Sequence, residues 1–280
     1  MVRCCDKGPD SRYDLRVDRP LQEGHGVGVW QIGLAARDPF HVRKSGMPRG
    51  CLGEFSGRPR RFLGEFKVRA VMNQVFRLSH PLAEHHLCEI RDEKTPPGRF
   101  RQAVGRLSML LSVQATADLP TQPHTVRTPL GDAHGQRLAV RVGIVPILRA
   151  GLGMVDPLLV LIPDAEVWHL GLYRDEETAE PVSYYDRLPP GSPPDVAILL
   201  DPMLATGGSM VLAIDRLKRW GVHDVRTISL LGAKPGIERL TERFPDVKIH
   251  IAAIDDSLNQ RSFIVPGLGD AGDRMFNTLG

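Results

Sequence analysis

Val196-Ala197-Ile198-Leu199-Leu200-Asp201-Pro202-Met203-Leu204-Ala205-Thr206-Gly207-Gly208-Ser209-Met210 decides how this chain of 280 residues is read. Its five opening apolar residues predict a strand buried on both faces, the mark of a parallel sheet. An acid stands where that strand ends, a loop closes on Thr206-Gly207-Gly208-Ser209, and a helix follows. Met210, Ile214 and Leu217 recur at helical spacing with Val211 beside them. Asp215, Arg216, Lys218 and Arg219 fall mostly on the opposite side, which leaves one stripe for a core.

The loop suits an anion. In open α/β sheets, ligands sit beyond the carboxyl ends of the strands, where Asp201 emerges. Gly207 and Gly208 let backbone N–H groups come close, and Thr206 and Ser209 add hydroxyl donors. The helix N-terminus adds the positive end of its dipole. A carboxylate just before such a cradle is placed to accept from sugar hydroxyls. The same residues would also serve as an ordinary turn, with Thr206 capping the helix. A Walker-type loop is a poor match because Met210, not Lys, follows Ser209.

Arg141 to Leu148 repeats the pattern as a second buried strand, ending in Arg149-Ala150-Gly151-Leu152-Gly153. An apolar helix over 154–162 follows, with a bend expected at Pro157. A second glycine turn beside the first would suit a diphosphate, with Arg149 as a fixed positive fork. Strands are further expected at 167–173, 224–231 and 247–254, with helices at 100–117 and 237–244. That alternation predicts an α/β fold with a mainly parallel sheet flanked by helices.

Four segments carry a family resemblance. Asp201 to Ser209 (DPMLATGGS), Pro146 to Gly153 (PILRAGLG), Tyr173 to Thr178 (YRDEET) and Ile264 to Asp273 (IVPGLGDAGD) resemble the uracil phosphoribosyltransferase family of type I phosphoribosyltransferases. The likeness runs from about Phe76 to Gly280. It implies a C-terminal hood over 255–280 and a flap hairpin within 179–195. It also implies the conversion of uracil and 5-phospho-α-D-ribose 1-diphosphate (PRPP) to UMP and diphosphate, in pyrimidine salvage.

By matched position, the resemblance implies PRPP contacts from Arg149, Arg174, Asp201, Pro202, Met203, Leu204, Ala205, Thr206, Gly207, Gly208, Ser209 and Asp270. It gives the catalytic parts to Asp201, Arg149 and Asp270, and the uracil contacts to Ile264, Gly269, Asp270 and Ala271. Mg²⁺ would come with PRPP near Asp270, and activation by GTP and a homo-oligomer are implied as well. Asp175 replaces a more usual Asn, and Phe263 stands where many relatives carry Tyr. The hood would read uracil with main-chain groups. Cytosine reverses two of the three polar positions on that edge, and the unpaired buried groups would reject it. The alternatives are a phosphoribosyltransferase of another base, or a nucleotide-sensing, RNA-binding regulator on the same fold.

Composition sets bounds on these readings. With 42% hydrophobic residues the chain can bury one substantial core. Its formal charge of +3 is uneven: residues 1–71 carry a net +6 and the rest a net −3. A body of that sign argues against nucleic acid as partner. Three of the four cysteines lie in the leader, with only Cys88 beyond it, so a reduced, cytoplasmic protein is expected. No apolar run is long enough to span a membrane. Residues 1–71 show no sustained periodicity and read as a disordered basic leader preceding a domain over 72–280. The expectation is that translation begins at Met72, the rival being an RNA-binding or targeting arm. His80, His85 and His86 lie close together, but without a Cys or carboxylate in the spacing they read as surface residues near a helix start. The segment 120–138 is expected to hold at most a hairpin. The glycines at 267, 269 and 272 predict an irregular tail.

Overall fold

The computed structural model describes residues 74–174 and 181–278, with only the backbone of Arg174 and Pro181. The leader 1–71, the proposed start at Met72 and the acidic run from Asp175 lie outside the described residues.

The described chain opens with β1 (Val75–Arg77), α1 (Pro81–Arg91) and α2 (Pro97–Ala115). The hairpin β2 (Thr121–Arg127) and β3 (Asp132–Leu138) precedes β4 (Val142–Leu148), a 3-10 turn over Ala150–Met154 and α3 (Val155–Leu161). β5 (Glu166–Val167), β6 (Leu170–Arg174), β7 (Pro181–Asp186), β8 (Val196–Leu200) and β9 (Met203–Leu204) lead to α4 (Gly208–Trp220). β10 (Asp224–Ala233), α5 (Lys234–Arg243), β11 (Lys248–Asp255), β12 (Ser257–Leu258), β13 (Ile264–Val265) and α6 (Ala271–Phe276) complete it.

The main sheet runs in the order β1-β11-β10-β8-β4-β6-β7, with β5 beside β4 and β9 beside β10. Each neighbouring pair on that path is parallel except β6 with β7. β4, β8, β10 and β11 therefore end on one rim. Alternation along β8 divides the core. Val196, Ile198 and Leu200 pack with Phe100 and Leu107 of α2 and with Met275 of α6. Ala197 and Leu199 pack with Met210, Ile214 and Leu217 of α4 and with Leu240 of α5. Burial on both faces accounts for the unbroken apolar run that opened the sequence. Among the described residues, no helix is long and apolar enough to cross a membrane.

Several sequence expectations are corrected. α2 starts at Pro97 rather than at Phe100, since the first helical position needs no N–H and suits proline. Pro157 lies in the first turn of α3, after a 3-10 turn, and produces no mid-helix bend. The strand expected at 167–173 is two pieces, β5 and β6, both pairing with β4. The tail is not wholly irregular: β13 pairs with β12, and α6 starts at Ala271 where the Asp270 side chain accepts from Asp273 N at 2.9 Å. That cap supplies what the glycines lack in helix propensity.

The histidines stand at a helix start as expected, with one difference at His86. His80 caps α1, its Nδ1 accepting from Leu82 N at 3.1 Å. His86 does have a carboxylate partner, Glu89 Oε2 at 2.8 Å, one helical turn ahead.

His250 of β11 is 3% exposed and stacks on Phe76 with ring centres 4.9 Å apart. Among the described residues, neither ring nitrogen has a hydrogen-bond partner. Burial, then the positive charge of Arg226, lowers its pKa from 6.5 to about 4; Lys248 acts in the same direction and Asp118 and Asp224 oppose. A histidine depressed in the folded state contributes its full stability above the unfolded pKa and loses it as pH falls from 6.5 towards 4. Chemical denaturation at pH 7 and pH 5 should show a loss of about 2 kcal/mol from this group, absent in His250→Leu. An equal pH dependence in both proteins would overturn the assignment.

Candidate active site

Two strands deliver the site's charged residues side by side. β4 and β8 are parallel neighbours, with Pro146 opposite Leu200, so Arg149 and Asp201 leave the same rim. The loop after β4 lies hard against the end of β8: a Cβ on Gly151 would sit 2.5 Å from the Leu200 carbonyl oxygen. On the far side, α5 presses on the loop after Asp201, and a Cβ on Gly236 would sit 2.4 Å from the Ala205 carbonyl oxygen.

The Asp201 loop is built by main-chain bonds. Asp201 N donates to Ile228 O at 3.3 Å, and Leu230 N and Leu231 N both donate to Pro202 O at 3.0 Å. Met203 and Leu204 then form β9 beside Leu231 and Gly232. Pro202 and Leu204 are buried in this arrangement, while Met203 and Ala205 line an open cavity. The helix cap is Gly207 (φ 77°) with no side-chain hydrogen bond, so Thr206 does not cap α4 as an ordinary turn would require. Gly208 and Ser209 form the first turn of α4, whose uncapped N–H groups and dipole suit an anion.

Asp201 is half-buried, and its Oδ1 accepts from Met203 N at 3.3 Å. Burial outweighs that bond and pushes the carboxyl up to about 7. A ligand offering hydroxyl donors would stabilise the charged form.

The hood folds back over this rim. A cavity of about 370 Å³ lies between the two halves, lined by Ala150, Asp201, Met203 and Ala205 on one side. Arg261, Ser262, Phe263, Ile264, Gly269, Asp270, Ala271 and Gly272 form the other. Asp201, Asp270 and the candidate base contacts Ile264, Gly269 and Ala271 thus share one cavity. Thr206 to Ser209 continue from Ala205 without lining it. Arg149 adjoins Ala150, and its Nη2 donates to Asp273 Oδ1 at 3.1 Å, tying the loop after β4 to the hood. Arg174 closes β6, a strand parallel to β4, and its side chain is not among the described groups.

Asp273, Arg261 and Ser262 were not assigned from the sequence. Asp273 had a readable signal, since it follows Asp270 by three residues, the reach of one turn. Asp270 Oδ1 is occupied by the α6 cap, which leaves Oδ2 turned to other uses. One exposed carboxylate on an open cavity fits Mg²⁺, which keeps several waters and shares its ligation with substrate phosphates.

Comparisons with known proteins agree with this fold. The sequence model of the family described as uracil phosphoribosyltransferase matches residues 77–278. A uracil phosphoribosyltransferase of Roseiflexus castenholzii is 55% identical over 207 residues, covering 74% of this chain and 100% of the relative. Another, of Halalkalibacterium halodurans, is 49% identical over 208 residues, again covering 74% of this chain and 100% of the relative. A solved structure of a protein from Aquifex aeolicus superposes with a TM-score of 0.69 at 35% identity, covering 72% of this chain and 97% of that one. The chain therefore belongs to the uracil phosphoribosyltransferase family and is a pentosyltransferase.

Proposed function

We propose that the cavity between the Asp201 loop and the hood holds PRPP and uracil together, and that UMP and diphosphate leave it. The observation that carries this reading is the shared lining: Asp201 and Ala205 face Ile264, Gly269, Asp270 and Ala271 across one space. In this reading Asp201 accepts from the ribose hydroxyls, and the amides of 206–209 hold the 5′-phosphate. Arg149 and Arg174 supply positive charge to the diphosphate, and the main chain of 264–271 meets the polar edge of uracil. Asp270 would hold Mg²⁺ together with PRPP, and the ion neutralises charge on the leaving diphosphate when bound.

Uracil N1 forms the new bond to C1 of the ribose as the bond from C1 to the diphosphate oxygen breaks. The ribose carries oxocarbenium character between the two events, as in other glycosyl transfers. The N1 proton passes to the diphosphate oxygens, with no side chain assigned to it. Phe263, 40% exposed on the cavity wall, offers an apolar face and no hydroxyl. The cysteine distribution supports a cytoplasmic setting. GTP activation rests on the resemblance, and a GTP titration of the initial rate decides it, a flat rate removing the idea.

The uneven charge disfavours an RNA-binding regulator, and retention of labelled RNA on a filter would favour it instead. A homo-oligomer has support in the β2–β3 arm. All seven residues of β2 are exposed, as are six of the seven in β3, and the arm pairs with no other described strand. A two-stranded hairpin is marginal alone in water, so a second copy enclosing it, over Val126 on one face and Leu138 on the other, would complete it. Sedimentation should give a dimer or larger species that Val126→Lys with Leu138→Lys shifts towards monomer; a monomeric native chain sinks this proposal.

The substrate assignment is tested by UMP formation from labelled uracil, with cytosine, hypoxanthine and orotate as rivals. Asp201→Asn should lower kcat/KM for PRPP by about 100-fold, the cost of losing an anionic acceptor. The native enzyme should lose activity as pH falls below about 7, because Asp201 is then protonated, and the variant should lack that limb. Asp270→Ala should abolish turnover while the fold persists. Full activity in either variant would overturn the role given to that residue.

A further inference from the structure

The hood meets the base with main chain, so whatever fixes that main chain fixes recognition. Asp255 ends β11 at the ligand rim and is 7% exposed. Its Oδ1 accepts from Arg91 Nη2 at 2.7 Å and its Oδ2 from Arg91 Nη1 at 2.8 Å, a fork meeting a fork. The same Oδ2 accepts from Gly267 N at 2.9 Å, and Gly267 O accepts from Arg91 Nη1 at 2.9 Å. One largely buried ion pair therefore holds both polar backbone groups of a single hood residue. Burial works to raise the Asp255 carboxyl, and the bonds from Arg91 and Gly267 outweigh it and keep it below its ordinary value.

In stability alone such a pair contributes little, because desolvation consumes much of its attraction and apolar replacements often match it. Its placement is the informative part. Gly267 stands three residues after Ile264 and two before Gly269, inside the stretch that lines the cavity. Arg91 closes α1, and Arg274 of α6 donates to Ile90 O and Asp92 O at the same helix end. Hood and helix end are thus joined on both sides of Gly269 and Asp270. None of these bonds involves the Arg149 or Asp201 loops.

We propose that Asp255 and Arg91 are positioning residues for base recognition: their clamp on Gly267 sets where the main chain of 264–271 meets the base, without touching either substrate. This rests on the reading of the hood given above. The Asp201 loop, which takes the ribose and the 5′-phosphate in that reading, is held by separate contacts, and PRPP meets the clamped stretch only at Asp270.

Steady-state kinetics of Asp255→Asn and Arg91→Lys test it. Asn keeps the shape and loses the charge; Lys keeps the charge and cannot fork across Asp255 and Gly267. Each variant should raise KM for uracil about 10-fold or more and KM for PRPP, which meets the clamped stretch only at Asp270, by a clearly smaller factor, since small displacements of a binding edge are costly. The ratio of kcat/KM for uracil over cytosine should narrow as well. Melting temperatures establish that each variant is folded, and Arg91→Lys alone decides the question if Asp255→Asn fails to fold. An unchanged KM for uracil in a folded variant, or equal rises for both substrates, overturns the proposal. A native enzyme that uses another base would overturn the substrate reading instead, and the same split measured with that base would still judge the clamp.

Discussion

At Gly151 the chain after β4 approaches the carbonyl of Leu200 so closely that a methyl group would have to lie 2.5 Å from it. This contact fixes the spacing of the two loops that carry Arg149 and Asp201. Parallel strands bring loops to one rim, but the interstrand spacing of a sheet does not by itself close the gap between them. Removing the side chain at the point of contact does. Gly236 repeats the device where α5 meets Ala205. The Asp201 loop is gripped from both flanks and the cavity inherits a rigid floor.

The roof is made differently. Its two short strands and one short helix bury few side chains, with Ile264, Leu268, Ala271 and Met275 as its share of the core. Polar bonds from arginine complete the attachment: Arg91 to Asp255 and Gly267, Arg101 to Met275 O, and Arg274 to Ile90 O, Leu268 O and Asp92 O. Arg274 also lies over the Phe100 ring, 4.3 Å from its centre, so its attachment is partly apolar. Directional bonds of this kind specify orientation more tightly than apolar packing does.

The sheet was legible because strands buried on both faces leave continuous apolar runs such as Val196 to Leu200. The Asp201 turn was legible because it combines glycines, hydroxyls and an acid within a few residues, and the Arg149 turn because two glycines follow an arginine at a strand end. The break between β5 and β6 was not, since Val167 to Tyr173 reads as one run and only pairing with β4 divides it. α6 was hidden because its stability comes from the Asp270 cap and not from its composition. The clamp on Gly267 was hidden for a different reason: Arg91 and Asp255 are 164 residues apart, and no local pattern reports such a meeting. Residues gathered in one loop leave a local signature. Residues that orient those loops from a distance leave none.

The two rims of the sheet have opposite characters. At the amino ends of β10 and β11, Asp118 accepts from Lys248 at 2.5 Å and from Arg226, while Arg226 also holds Asp224 at 2.6 Å and Ala115 O at 2.7 Å. That end is stitched shut by charge, and the carboxyl end is open to solutes. Salt, which screens such pairs, therefore acts first on the stitched edge and leaves the opposite one, held by main-chain bonds and close glycine contacts, as it was.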